Sequence, residues 1–313
     1  MKRSLVVLAA LVTILGAACS SSSSDGEEGG GAEATTTTSA GSTTTAAAPE
    51  PLEDQTAPAT INGITVDGDT IWVASIEDDV VLQVDADSGA ILQRIGTGGA
   101  GPDDVALAPD GSVWTTGFGN GDLGRIHDGS YEVVTPIETG INPLEFGEDG
   151  TLFVGTYGKD GKLFSLATED GAPIEGAEPE LQAQGLPDIN AFGVLADGTL
   201  VSPAGGLSGP SSAIQIDPAT GKVTTLVEGL PPVAAGATDA DGEAYVLANI
   251  TGEVIRIDVG AKTSEVVRTV EQGAPFDNLA FGDDGTVYLS SFVAPTITAV
   301  APDGTERLIT IGS

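Results

Sequence analysis

The chain is short of cysteine, histidine and positive charge. Among 313 residues there is one Cys and one His, and 11 Lys and Arg stand against 46 Asp and Glu, for a net charge of −35. Each shortage excludes something. With Cys19 alone, no internal disulfide can form. With His127 alone, neither a histidine-based metal site nor a Ser-His-Asp triad of the usual kind can be assembled. So acidic a surface repels nucleic acid and anionic lipid, which excludes nucleic-acid binding; its like charge disfavours self-association, and a monomer is expected. The apolar run from Leu5 to Leu15 falls short of the ~20 residues that span a bilayer.

What is present begins with Met1-Lys2-Arg3, that apolar run, and small residues at Gly16-Ala17-Ala18. This is the pattern of a secretory signal peptide. Leu15-Gly16-Ala17-Ala18-Cys19 resembles the bacterial lipobox, in which cleavage precedes the Cys and its thiol takes up diacylglycerol. The resemblance implies a signal peptide over 1–18, lipidation at Cys19 and an extracytoplasmic, membrane-anchored protein. Removing Lys2 and Arg3 with the signal peptide takes the charge from −35 to −37. Residues 19–58 are Ser, Thr, Gly, Ala, Pro and acid with almost no large apolar side chain, the composition of a disordered tether. The fold is expected over 59–313.

That region repeats. Asp-Gly pairs recur at Asp67-Gly68, Asp110-Gly111, Asp149-Gly150, Asp197-Gly198, Asp241-Gly242 and Asp284-Gly285. Three or four residues after each Gly stands Trp72, Trp114, Phe153, Val201, Tyr245 or Tyr288, at intervals of 42, 39, 48, 44 and 43. A period near 43 with short strand-type segments predicts an all-β, six-bladed propeller of four-stranded antiparallel blades. The column of large side chains is expected in the wedge between blades. Extra residues in blade three, near EDGAPIEGAEPE, and in blade four, at SPAGGLSGPSS, are expected on the binding face.

Counting back seven or eight residues from each turn Gly reaches the start of the innermost strand. There stand Asn62, Asp103 with Asp104, Asn142, Asn190, Ala234 with Ala235, and Asp277 with Asn278. Five of six blades thus aim an oxygen-bearing side chain at one rim of the channel, and no Lys, Arg or His occupies an equivalent place. Gathered carboxylates raise one another's pKa. An oxygen-only cluster suits Ca²⁺ or another hard divalent cation. The competing expectation is that these side chains cap strand ends or hold water. His127 aligns with Asp85, Asp217 and Asp258 as a turn residue. The glycines from Gly96 to Gly101 form a linker with no helix after it, and Ser208 lacks a nucleophile elbow.

PDDVALAPDGSVW, INPLEFGEDGTLFV, INAFGVLADGTL and PFDNLAFGDDGTVYLS resemble the gluconolactonase/senescence-marker-protein superfamily of six-bladed propellers, and also NHL-repeat propellers. The resemblance covers the whole repeat region. It implies a divalent cation held by Asn142, Asn190 and Asp277, with Asn62 where the family has Glu and Asp277 as counterpart of the catalytic Asp. Asp277 or Asp103 would then be the general base, and Asn62, Asp104 and Asn278 would contact ligand. The lone His127 separates the chain from virginiamycin B lyase, a propeller whose chemistry relies on histidine. Three functions follow as expectations. The first is a lipid-anchored propeller that binds a small molecule or protein through its loop-rich channel face. The second is a metal-dependent lactonase or esterase, and the third a structural or sensory surface module.

Overall fold

The structure, a computed structural model, describes residues 49–206 and 209–312. Cys19, the expected signal peptide over 1–18, most of the expected tether and Ser208 lie outside the described residues. The described residues are all strand, turn and loop, with six antiparallel four-stranded sheets and one two-stranded hairpin.

Blade one holds β1 (Ile64–Asp67), β2 (Thr70–Ser75), β3 (Val80–Asp85) and β4 (Ile91–Gly96). Blade two holds β5 (Pro102–Leu107), β6 (Val113–Gly117), β7 (Asp122–His127) and β8 (Ser130–Pro136). Blade three has β9 (Ile141–Phe146), β10 (Leu152–Thr156) and β11 (Gly161–Leu166). A small hairpin follows, β12 (Thr168–Glu169) with β13 (Ala172–Pro173), and β14 (Glu180–Leu186) ends the blade. Blade four has β15 (Gly193–Val194), β16 (Leu200–Ala204), β17 (Ser211–Asp217) and β18 (Lys222–Leu230). Blade five has β19 (Val233–Thr238), β20 (Ala244–Ala248), β21 (Glu253–Asp258) and β22 (Thr263–Thr269). Blade six has β23 (Phe276–Phe281), β24 (Val287–Ser291), β25 (Thr296–Val300) and β26 (Glu306–Thr310).

The Asp-Gly pairs make the hairpins between first and second strands. All six glycines take φ between 55° and 81°, a region that side chains disfavour. The acid of the pair is structural too: Asp110, Asp149, Asp197 and Asp284 each accept the N–H two residues on, at 2.8–2.9 Å. On the second strands, Trp72, Trp114, Phe153, Val201 and Tyr288 are buried and Tyr245 is half-buried. They fill the seams between blades. Trp114 meets Phe146 of blade three edge-on at 6.1 Å, and Tyr245 meets Phe281 of blade six at 4.8 Å.

Each blade is completed by its own stretch of chain, so no strand is shared where the ring closes. Isoleucines and Tyr288 from blades one and six pack into one cluster there. The Ser290 hydroxyl of β24 donates to the Asn62 carbonyl at 2.5 Å. The hydrogen-bonded chain also begins before Ala59. Leu52 N–H donates to the Ile91 carbonyl at 2.8 Å, Gln55 bonds both polar groups of Ile91, and Arg94 donates to the Thr56 carbonyl.

The two irregular blades differ from expectation in one respect. The blade-three insertion lies between a third and a fourth strand, at the end of the molecule that carries the Asp-Gly turns. Its Gly171 carbonyl accepts from the Trp114 indole at 3.0 Å. It therefore seals a seam at the end opposite the rim of first-strand starts, and is not on that face. In blade four the second strand ends at Ala204 and the third begins at Ser211, and these two strand ends lie at the rim end.

Candidate site at the channel mouth

First strands run inward from the rim, and irregular register at their starts sets which side chains reach the channel. The pairing of β5 with β6 slips between Pro102 and Val105, and that of β23 with β24 slips between Phe276 and Leu279. Regular alternation would point one of two neighbours away. At the slips, Asp103 and Asp104, and Asp277 and Asn278, all enter hydrogen bonds across the channel. Second strands fix the bend: Thr116 Oγ accepts from Asp104 N–H at 3.1 Å and donates to the Asn142 carbonyl at 2.7 Å. Ser290 does the same between Asn278 N–H, at 3.0 Å, and Asn62.

The seven rim residues form two layers. In the outer layer Asn142 Nδ2 donates to Asp103 Oδ2 at 2.5 Å and Asn62 Nδ2 donates to Asp277 Oδ2 at 3.1 Å. The Asn190 amide of blade four also stands close enough to Asp277 to favour its charged form. In the inner layer Asn278 Nδ2 donates to Asp104 Oδ1 at 2.9 Å. These two come from blades six and two, and they meet because blade one puts Gly63 between them. A Cβ at Gly63 would collide with the Asp104 carboxylate.

Among the described residues no positive charge compensates this cluster. Burial, then Asp277 and Asp104, hold the Asp103 carboxyl well above the usual carboxylate range. Burial lifts Asp104 likewise, against N–H groups of Val105 and Leu144 that lower it. Asp277 is raised to about 6 by burial, opposed by the Asn62 and Asn190 amides.

Three residues here were missed in the sequence. Glu145, on β9, is pushed up to about 7 by burial and adds to the charge near Asp104. It lies three residues beyond Asn142, outside the column of strand starts. Tyr157, just after β10, is 39% exposed; burial first, then Asp188, Asp277 and Asp103, raise its hydroxyl. Asn249, just after β20, is buried, and its Oδ1 has no hydrogen-bond partner among the described residues. His127 ends β7 on the outside of the molecule, 3.5 Å from Asp128, as a turn residue.

The donor set is oxygen only, the type that a hard divalent cation takes. Among the described residues no three His, Cys, Asp or Glu side chains are grouped to hold a metal by themselves. A cation would need the carboxamides as well. At present these point N–H groups at the carboxylates. A half-turn of each amide about its last, two-fold torsion presents oxygen instead, with no change of backbone.

No protein-family model matches the chain, and no curated protein matches it in sequence. Solved structures match in fold. The propeller superposes on virginiamycin B lyase from Staphylococcus aureus with a TM-score of 0.58 at 16% identity, over 81% of this chain and 85% of that one. It superposes on regucalcin from Agrobacterium tumefaciens, described as a calcium-binding protein, at 0.58 and 17%, over 75% and 83%. A gluconolactonase from Xanthomonas campestris matches at 0.58 and 14%, over 75% and 84%. At such identities the likeness is one of fold: a six-bladed propeller whose structural neighbours include the gluconolactonase and regucalcin type.

Proposed function

We propose that this chain is a lipid-anchored, extracytoplasmic binding protein whose propeller captures a cation, or the cationic part of a ligand, at the channel mouth. One observation carries the reading. Asp103 of blade two is buried at the mouth with Asp277 of blade six and Asp104 raising its carboxyl, and the side-chain hydrogen bonds that Asp103 and Asp277 receive there come from carboxamides, not cations. A cation would relieve that repulsion and recover the cost of burying the carboxyls. Asp103, Asp277, Asn62, Asn142 and Asn190 would hold it. A divalent cation there would supply Lewis acidity. The calcium-binding description of one fold neighbour is in keeping with this reading. The histidine chemistry that the sequence already set aside has no residue here, since the only histidine is the turn residue His127.

Binding by mass action raises the melting temperature. Millimolar Ca²⁺, Mg²⁺ or Mn²⁺, at matched ionic strength, is expected to raise it in the wild-type chain and not in Asp277→Ala. No shift with any of the three defeats the reading.

A hydrolytic reading has one observation in its favour. Asp277, near 6 and steadied by two amides, titrates where a general base works at neutral pH. Cation-dependent turnover of a lactone or aryl ester, lost in Asp277→Asn, would move the proposal from binding to catalysis.

A further inference from the structure

Blade five breaks the ring of oxygen donors. Its inner strand opens on Val233, Ala234 and Ala235, while the other five blades offer Asn62, Asp103, Asn142, Asn190 and Asp277 at this level. A second difference in the same blade offsets the first. The residue directly after the second strand is Ile76, Phe118, Tyr157, Gly205 or Phe292 in the other blades, and in blade five it is Asn249. No other blade has a carboxamide or carboxylate there.

Asn249 is 2% exposed and its Oδ1 accepts no hydrogen bond among the described residues. Its backbone holds it in the gap. The N–H donates to the Pro232 carbonyl at 3.0 Å, and the carbonyl accepts from Phe276 N–H at 2.8 Å. Those partners immediately precede β19 and open β23, so the Asn249 backbone is fastened at the rim end of the blade five–six seam, next in sequence to the strand starts that carry Ala234 and Asp277. Burying an amide oxygen without a partner is costly, and buried polar groups are paired almost without exception. A site that needs one more oxygen, beside an oxygen that needs one more partner, accounts for both.

We infer that Asn249 is the blade-five donor of the mouth, with its Oδ1 reserved for the bound cation. This rests on the cation-binding reading and adds a residue to it. An acceptor that is unpaired without ligand contributes nothing to the unliganded fold, whereas a structural asparagine would.

The test is a Ca²⁺ titration of the full-length chain, read by calorimetry and by melting temperature. Asn249→Ala is expected to melt without Ca²⁺ as the wild type does, or slightly higher, and to bind Ca²⁺ about tenfold or more weakly. Asn249→Asp keeps the shape and adds charge, and is expected to bind at least as tightly as the wild type. Unchanged Ca²⁺ affinity in Asn249→Ala overturns the inference. So does a marked fall in its unliganded melting temperature with the Ca²⁺ response intact. If Asn249→Ala does not fold, weakened binding in Asn249→Asp overturns it equally. A wild-type chain that binds no Ca²⁺ removes the parent reading, an outcome visible before any variant is compared.

Discussion

Asp277 carries its charge at a cost. Burial lifts its carboxyl from an ordinary value near 4 to about 6, although the Asn62 and Asn190 amides favour the charged form. Between those two values the folded chain binds a proton that the unfolded chain has released. Stability from this group is therefore greatest below pH 4 and is lost as pH rises through about 6. The shift is about two pH units at ~1.4 kcal/mol each, and Asp277 keeps part of its surface, so ~1–3 kcal/mol is at stake. Asp103 and Asp104, raised by burial, and Glu145, raised to about 7, slope the same way, while Asp197 and Asp284, lowered by their turn hydrogen bonds, slope the other. Only a difference between two curves isolates one residue. Cation-free Asp277→Asn is expected to be more stable than wild type at pH 7 by ~1–3 kcal/mol, with the gap closing toward pH 4, in urea unfolding across that range. Parallel curves would mean that Asp277 is well solvated and that the mouth lacks the stored repulsion on which cation capture depends.

At two seams the strands that place the site are held by a hydroxyl on the second strand. Ser290 serves two blades at once, accepting from Asn278 N–H and donating to the Asn62 carbonyl, at the seam where the ring closes without a shared strand. Ser290→Ala leaves both groups unpaired and is expected to cost ~1–3 kcal/mol by urea unfolding. A loss within error would show that the seam is sustained by apolar packing around Tyr288 alone. Thr116 repeats the arrangement two seams further on, between Asp104 of blade two and Asn142 of blade three. These devices also mark what the sequence discloses. Blade number, turns and the wedge column are legible because each recurs six times with its own physical signature, positive φ in the turn and bulk in the seam. The rim residues are legible as a column for the same reason. Whether Asp103 or Asp104 enters the channel is not, because a register slip brings in both. Asn249 escapes because blade five supplies from its second strand what the others supply from the first. The blade-three insertion is legible as an insertion, but the face it takes follows from its place between third and fourth strands. Residues 52–56 read as tether because they dock by backbone and Gln55 hydrogen bonds, which leave no apolar period behind.

At the scale of the whole molecule, charge and address bear on each other. A chain at −35 gains nothing from the anionic surface of a membrane and is pushed from it within a Debye length, about 10 Å at 0.1 M salt. A peripheral protein held by basic residues is released by salt; this one has 11 positive side chains spread among 46 negative ones and no polybasic stretch. If it resides at a membrane, as the segment around Cys19 leads us to propose, the attachment has to be covalent lipid. Acyl chains contribute ~0.8 kcal/mol per buried CH₂, and two or more make a stable anchor against which such repulsion is small. The wild-type chain is therefore expected to stay with membranes washed in 1 M salt, since salt screens only the repulsion. Cys19→Ala is expected to lose the attachment at every salt concentration and to carry no radiolabelled fatty acid. Fractionation and labelling of the two chains check this directly. Salt-released wild-type protein would point to a bridging partner, and membrane-bound Cys19→Ala would remove Cys19 as the anchor. Either result would detach the proposed address from the propeller without touching the case for its mouth, because the acidic ring at Asp103, Asp104 and Asp277 is built by the blades alone.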